Sequence, residues 1–259
     1  MITIKKPNEI EVLRQGGKIL AEVLSELAQA SKIGVTTIAL DELAEKLIIK
    51  KGGAPSFKNY QGRGEEIPFP TTICASVNEQ LVHTPASSYQ LKNGDILSLD
   101  IGMKYPDSEN GLFTDMAITI PIGKVTPMAR RLLKVTKQAL ILGISQVKPE
   151  NKISDISKTI QGYVEDQGFS VVRQLVGHGV GYQVHEEPRI PNYLDSKQKD
   201  YILKEGMVLA IEPMVNIGEP AVKTLNDNWT VVTADGKLCA HFEHTVVVTK
   251  EDHEILTKS

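Results

Sequence analysis

Four carboxylates stand inside short runs that otherwise read as buried β-strand: Asp100 in DILSLDIG, Asp115 in FTDMAITI, Glu212 in VLAIEPMV and Glu243 in FEHTVVVT. The strand period of two sets Asp100 on the face opposite Leu99, and puts Asp115 with Ala117 and Thr119 while Met116, Ile118 and Ile120 form the other face. A buried carboxylate without a partner costs several kcal/mol or takes up a proton. One such residue reads as a strand-end carboxylate bonded to backbone amides or to an Arg. Four exceed the cations close by: Lys92 and Lys104 flank Asp100, but neither Glu212 nor Glu243 has a Lys or Arg within five residues. Two divalent cations would balance four carboxylates, and oxygen ligands with one or two imidazoles suit Mn, Fe(II), Co or Zn.

The imidazoles come from VGHGVGYQVHEEP, where His178 stands between Gly177 and Gly179 and His185 follows. Glycines on both sides allow close backbone approach and positive φ. GHG alone equally suits a turn with an exposed histidine. His83, in SVNEQLVHTPAS, follows the first strand. Each histidine can serve as a ligand or as a hydrogen-bond and proton partner to substrate, and spacing does not assign them. Cys74 and Cys239 have no CxxC partner, which gives neither a disulfide framework nor a zinc knuckle.

The rest of the chain frames these residues. Apolar positions Ile10, Leu13, Ile19, Leu20, Val23, Leu24 and Leu27 predict a helix from Pro7 to about Ala30, capped by Asn8. A second runs from Thr36-Thr37 to Gly52-Gly53. Strands are expected at Thr72–Val77, Asp95–Ile101 and Thr114–Ile120. The order then repeats: a helix with Met128, Leu132, Val135 and Leu140, another from Ile153 to about Gln167, and strands at Gln174–Val176, Met207–Val215, Trp229–Thr233 and Glu243–Thr249. Helix, helix, strands twice over predicts an α+β chain of one domain, 1–259, with pseudo-equivalent halves of about 1–121 and 122–259 sharing a central sheet under outer helices. With 29 Lys+Arg against 32 Asp+Glu, the net charge of −3 gives no nucleic-acid footprint. No window reaches a membrane span and charges interrupt the start, which predicts a cytoplasmic protein.

Taken together, SVNE with His83 downstream, SLDIG, FTDMAI, GHGVG, VHEEP, AIEPMVN and FEHTVVVT resemble the methionine aminopeptidases in order and approximate spacing, from IKKPNEIEVLRQGGKILAEVL to the final strand. The resemblance implies the pita-bread (creatinase/aminopeptidase-like) fold, with a mostly antiparallel curved sheet. It implies two divalent metal ions (Co, Mn, Fe(II) or Zn) on Asp100, Asp115, His178, Glu212 and Glu243, with Asp115 and Glu243 shared between them. His185 would bond the scissile amide, His83 would sit at the leaving side, and Glu212 would be the general base. Tyr60, Cys74 and Trp229 match positions that line the methionine slot. The implied reaction is metal-assisted hydrolysis that removes the initiator methionine ahead of a small second residue.

The step of 31 residues from Glu212 to Glu243, with room for strand, turn and strand, resembles the type I, short bacterial form. Departures from the family pattern are Thr84-Pro85 after His83, Val184 before His185, which predicts a wider slot, and expanded loops at KYPDSENGLF and RGEEIPF. The implied partners are nascent polypeptide N-termini, with the ribosome as a candidate contact, for a monomer that binds neither DNA nor membrane. Two other readings compete: a proline-specific aminopeptidase or dipeptidase of the same fold, and a non-catalytic peptide- or RNA-binding member, which would be expected to have lost ligands.

Overall fold

The computed structural model describes residues 2–62 and 67–258. Its helices are α1 (Pro7–Ala30), α2 (Thr37–Lys50), α3 (Pro127–Ile144) and α4 (Ile153–Asp166). Proline opens α1 and α3, where its missing N–H leaves no bond unmade. The cap of α1 is Lys6 and not Asn8: the Lys6 backbone N–H donates to the Glu9 carboxylate at 2.7 Å, and Asn8 already lies inside the first turn. Thr36 and Thr126 cap α2 and α3 by accepting from the Ala39 and Ala129 amides. Met128, counted by periodicity on the core face of α3, is exposed, because the buried stripe begins at Ala129 and continues through Leu132, Val135 and Ala139.

Nine strands form one sheet, antiparallel at every pairing. Its order is Ala54–Pro55, Ile96–Tyr105, Leu112–Pro121, Glu243–Val248, Val208–Ile211, Gly177–Gly179 and Glu186–Ile190, with Ile73–Val77 and His253–Ile255 as branches. Strand alternation divides its two faces. Leu97, Leu99, Ile101 and Met103 pack with Leu20, Leu24, Leu40 and Ile48 of α1 and α2. Leu209, Ile211, Val246 and Val248 pack with Leu132, Ile156 and Ile160 of α3 and α4. The opposite face is left to Asp100, Asp115, Ala117 and their neighbours.

Two segments differ from the sequence expectation. Gln174–Val176 is loop, lying between the short strands Ser170–Val171 and Gly177–Gly179. The run Met207–Val215 is broken into Val208–Ile211 and Met214–Asn216, since Pro213 has no N–H with which to continue a ladder. The interval from Glu212 to Glu243 is correspondingly richer than one strand, turn and strand. It holds Met214–Asn216, Val222–Thr224, Val231–Thr233 and Cys239–His241, which enter two small three-stranded sheets. Of the expanded loops, the first is the turn between Tyr105 and Leu112. In the second, Arg63 to Glu66 lie outside the described residues. Among the described residues no helix is long and apolar enough to cross a membrane.

Gly17 in α1 fixes how closely this helix meets the end of the chain: a Cβ there would lie 2.4 Å from the Leu256 carbonyl oxygen. Gly17→Ala is therefore expected to cost about 1–3 kcal/mol in urea unfolding. An unchanged unfolding midpoint would contradict the contact.

Candidate metal centre

Register places the carboxylates together. Asp100 lies opposite both Cys74 and Ala117, and Ala117 lies opposite Glu243, so one row across four strands reads Cys74, Asp100, Ala117, Glu243. Opposed residues share a face, and so do residues two apart. Asp115, two residues before Ala117, therefore joins the row's face. A second row runs His178, Ala210, Thr245. Thr245 is two residues from Glu243 and Ala210 two from Glu212, which brings His178 and Glu212 to that same face. Thr245 also ties the strands, its hydroxyl donating to the Asp115 carbonyl at 2.8 Å and accepting from the Asp115 amide at 2.9 Å.

The outcome is a cavity of about 80 Å³ lined by Asp100, Asp115, His178, Glu212 and Glu243, by Phe57, Tyr60, Phe69, Cys74 and Trp229, and by His83 and His185. All ten residues singled out in the sequence line it. Ligand atoms of Asp115, His178 and Glu243 lie within 4.8 Å of one another, close enough to hold one cation. Asp100 and Glu243 are 7% and 2% exposed, and the Asp100 Oδ1 and Glu243 Oε1 atoms are buried without a hydrogen-bond partner. Burial and mutual repulsion push Asp115 and Glu243 well above the usual carboxylate range, and burial does the same to Glu212. Burial, with the Glu212 charge adding to it, raises Asp100 to about 6.

The imidazole chemistry matches. His178 Nδ1 lies 2.9 Å from the Gly179 carbonyl, which can only accept, so Nδ1 carries the proton and Nε2 offers a lone pair. That Nε2 faces Glu212 Oε1 at 3.5 Å. Two acceptors facing each other in a buried space are what a cation between them would satisfy. Burial, reinforced by the neighbouring His185 ring, pushes His178 down to about 3, so it stays neutral. The flanking glycines serve close approach alone and show no positive φ: a Cβ on Gly177 would lie 2.5 Å from the Ala210 carbonyl oxygen, and one on Gly179 2.3 Å from that of Glu187. The residues fit divalent cations by charge, by unpartnered oxygens and by tautomer.

Around them, His185 stacks edge-on to His178 at 4.5 Å between centroids, and its Nδ1 meets the Tyr60 hydroxyl at 2.7 Å. The adjacent Glu186 braces the loop: it accepts from Lys5 Nζ at 2.8 Å and from the amides of Tyr182 and Gln183. Burial acts to raise Glu186, but the bonds from Lys5 and Thr3 outweigh it and hold it below the usual range. His83 is half-buried at φ 57°, and the following Thr84-Pro85 is stitched to the Ile73–Val77 strand by the Ala75 amide on the Thr84 carbonyl at 2.8 Å and by a bridge from Cys74 to Pro85. The apolar end is a cluster of Phe57, Phe69, Cys74, Val184 and Trp229, in which Phe69 and Trp229 meet edge-on at 5.1 Å. Val184 packs within this cluster, behind the residues that line the cavity. Outside lies a cleft of about 1120 Å³ that shares Tyr60, His83, His178, His185 and Glu212 with the inner cavity.

Sequence reasoning missed Phe57 and Phe69, whose loop gives no periodic signal. It also missed His241, which is 1% exposed with Nε2 3.5 Å from Glu212 Oε2 and 3.9 Å from Glu243 Oε2. A signal existed: His241 stands two residues before Glu243.

Comparison with known proteins gives this arrangement a family. The family model described as metallopeptidase family M24 matches residues 11–250. The methionine aminopeptidase 1 of Bacillus subtilis is 50% identical over 258 residues, covering 100% of both chains. The crystal structure of the methionine aminopeptidase of Thermotoga maritima superposes with a TM-score of 0.92 at 40% identity, again over 100% of both chains. The prolidase of Pyrococcus furiosus shares the fold at TM-score 0.78 and 21% identity, this chain spanning 65% of it. The chain belongs to metallopeptidase family M24, among its methionine aminopeptidases, and has their pita-bread fold.

The metal-free protein has a defined pH signature. An ordinary Asp titrates near 3.9, so between that value and about 6 the folded state holds a proton on Asp100 that the unfolded chain has released. Stability conferred through this group falls as pH rises across that window, and Asp115, Glu212 and Glu243 act in the same direction. Cations that compensate the carboxylates cancel the loss. The melting-temperature gap between Mn(II)-loaded and chelated protein is expected to widen from about pH 5 to about pH 7.5; a constant or narrowing gap would contradict this.

Proposed function

We propose that this chain is a divalent-metal-dependent methionine aminopeptidase that removes the N-terminal methionine from nascent polypeptides with a small second residue. The observation that carries the reading is that carboxylates, imidazoles and an apolar slot line one small cavity opening through His83 and His185 onto a wide cleft. Asp100, Asp115, His178, Glu212 and Glu243 would hold two divalent ions, Mn, Co, Fe(II) or Zn by donor chemistry, with availability deciding among them. Such ions, when bound, supply Lewis acidity toward a peptide carbonyl and a water that ionises at neutral pH.

The side chains do the rest. Phe57, Phe69, Cys74, Val184 and Trp229 take up an unbranched, polarisable methionine side chain and exclude water from it. With the side chain seated there, the free α-amino group lies among the carboxylates, and recognition of that amine makes the enzyme an exopeptidase. Glu212, at the boundary of cavity and cleft, accepts the proton of the attacking water. His185, its ring held by Tyr60, and His83 hydrogen-bond the scissile amide and its leaving side. A bulky second residue would collide with these two imidazoles. The same reading describes a cytoplasmic monomer of one domain with two pseudo-equivalent halves, meeting its substrates at or near the ribosome. The proline-specific alternative rests on fold alone, and the binding-module alternative expects lost ligands.

Chelated protein restored with Mn(II), Co(II) or Fe(II) is expected to release methionine from Met-Ala-Ser and nothing from Ala-Pro-Ala. Glu212→Gln should lower kcat by roughly 10²–10⁴-fold. Cleavage of the proline peptide alone would move the chain to the proline-specific branch, and full activity in Asp115→Asn would overturn the metal assignment.

A further inference from the structure

His241 has no role in the reaction described above, yet its ring is among the most enclosed polar groups of the molecule. It is 1% exposed, and neither Nδ1 nor Nε2 has a hydrogen-bond partner. It ends the Cys239–His241 strand of a small sheet, held there by its backbone: the His241 amide donates to the Thr119 hydroxyl at 2.9 Å, and that hydroxyl donates to the His241 carbonyl at 2.7 Å. Thr119 is two residues beyond Ala117 on the carboxylate face. The ring is thus delivered to the site by two strands at once.

Glu212 lies between two imidazoles. His178 Nε2 faces Oε1 and His241 Nε2 faces Oε2, each at 3.5 Å. The two contacts cannot be chemically equal. The Gly179 carbonyl fixes the His178 proton on Nδ1, so toward Glu212 His178 is an acceptor. No such group fixes His241. A lone pair on its Nε2 would point at Glu212 Oε2 and, 3.9 Å away, at Glu243 Oε2, a repulsive arrangement for a ring that is 1% exposed. A proton on Nε2 turns the same contact into a charge-assisted hydrogen bond.

We propose that His241 is a positioning residue of the metal centre: its Nε2–H donates to Glu212 Oε2, turning Oε1 toward His178 so that these two together hold one of the two ions. This rests on the metal-site reading above and deepens it. Carboxylate ligands are commonly oriented by such outer bonds, and their loss typically costs 10–100-fold in metal affinity. The effect is expected on the ion that His178 and Glu212 hold, because the bond acts on the Glu212 carboxylate.

The test is calorimetric titration of Mn(II) into chelated wild type, His241→Ala and His241→Gln, together with long-range ¹⁵N–¹H spectra of the histidine rings in the Zn(II)-loaded protein. Wild type should bind two ions. His241→Ala should weaken one of them by roughly 10–100-fold and leave the other unchanged. His241→Gln, whose amide N–H reaches from a similar position, should restore most of the loss. The spectra should place the His241 proton on Nε2. Equal affinities in His241→Ala, a Gln variant no better than Ala, or an Nε2 that is unprotonated or metal-bound would each overturn the proposal while leaving the metal centre standing. A wild type that binds no Mn(II) would remove the metal-site reading itself, and this inference with it.

Discussion

The mutual repulsion of four buried carboxylates is the constraint around which the structure is organised. Asp100, Asp115, Glu212 and Glu243 are carried to one face of one sheet by strand register, and among the described residues no lysine or arginine lines the cavity they share. Folding such a set without compensation works against the hydrophobic core on the other face. Raised carboxylate pKa values, unpartnered oxygens and a histidine whose lone pair faces a carboxylate all express one deficit of positive charge. Divalent ions bound there would remove that deficit, and the proposed chemistry draws on the same side chains. In this chain stability and chemistry share a single set of side chains.

The helices explain why the sheet tolerates this. α1 to α4 cover one face of the sheet with its two largest apolar clusters, and the polar site occupies the other face beside smaller ones. Rigidity comes from contacts distant in sequence. Thr245 ties the Asp115 strand to the Glu243 strand, and Lys5 reaches Glu186 to brace the loop that presents His185. Phe57, Phe69, Cys74 and Trp229 line the same cavity as the carboxylates, so an apolar surface and a charged one meet in one small space.

Much of this was legible before any coordinates. Period-two alternation separates Asp100 from Leu99 and Asp115 from Met116, and period-3.6 spacing places α1, α2 and α4 to within a residue or two and detects α3 without fixing its ends, because both signals are local. Boundaries failed where a single residue overrides the pattern. Pro213 cuts one apparent strand in two, and Pro7 moves the α1 cap back to Lys6. Long-range partners are hidden for another reason: nothing near Glu186 announces Lys5, and although His241 stands two residues before Glu243, its contact with Glu212 comes from tertiary packing. Phe57 and Phe69 lie in a glycine- and proline-rich loop with no periodicity to read.

The central claim is that divalent cations compensate these carboxylates, and the anomalous difference map of a crystal grown with Mn(II) tests it directly. The account predicts two peaks inside the cavity, reached between them by Asp100, Asp115, His178, Glu212 and Glu243. An ordered map with no peak there, or with peaks only at surface carboxylates, would contradict it.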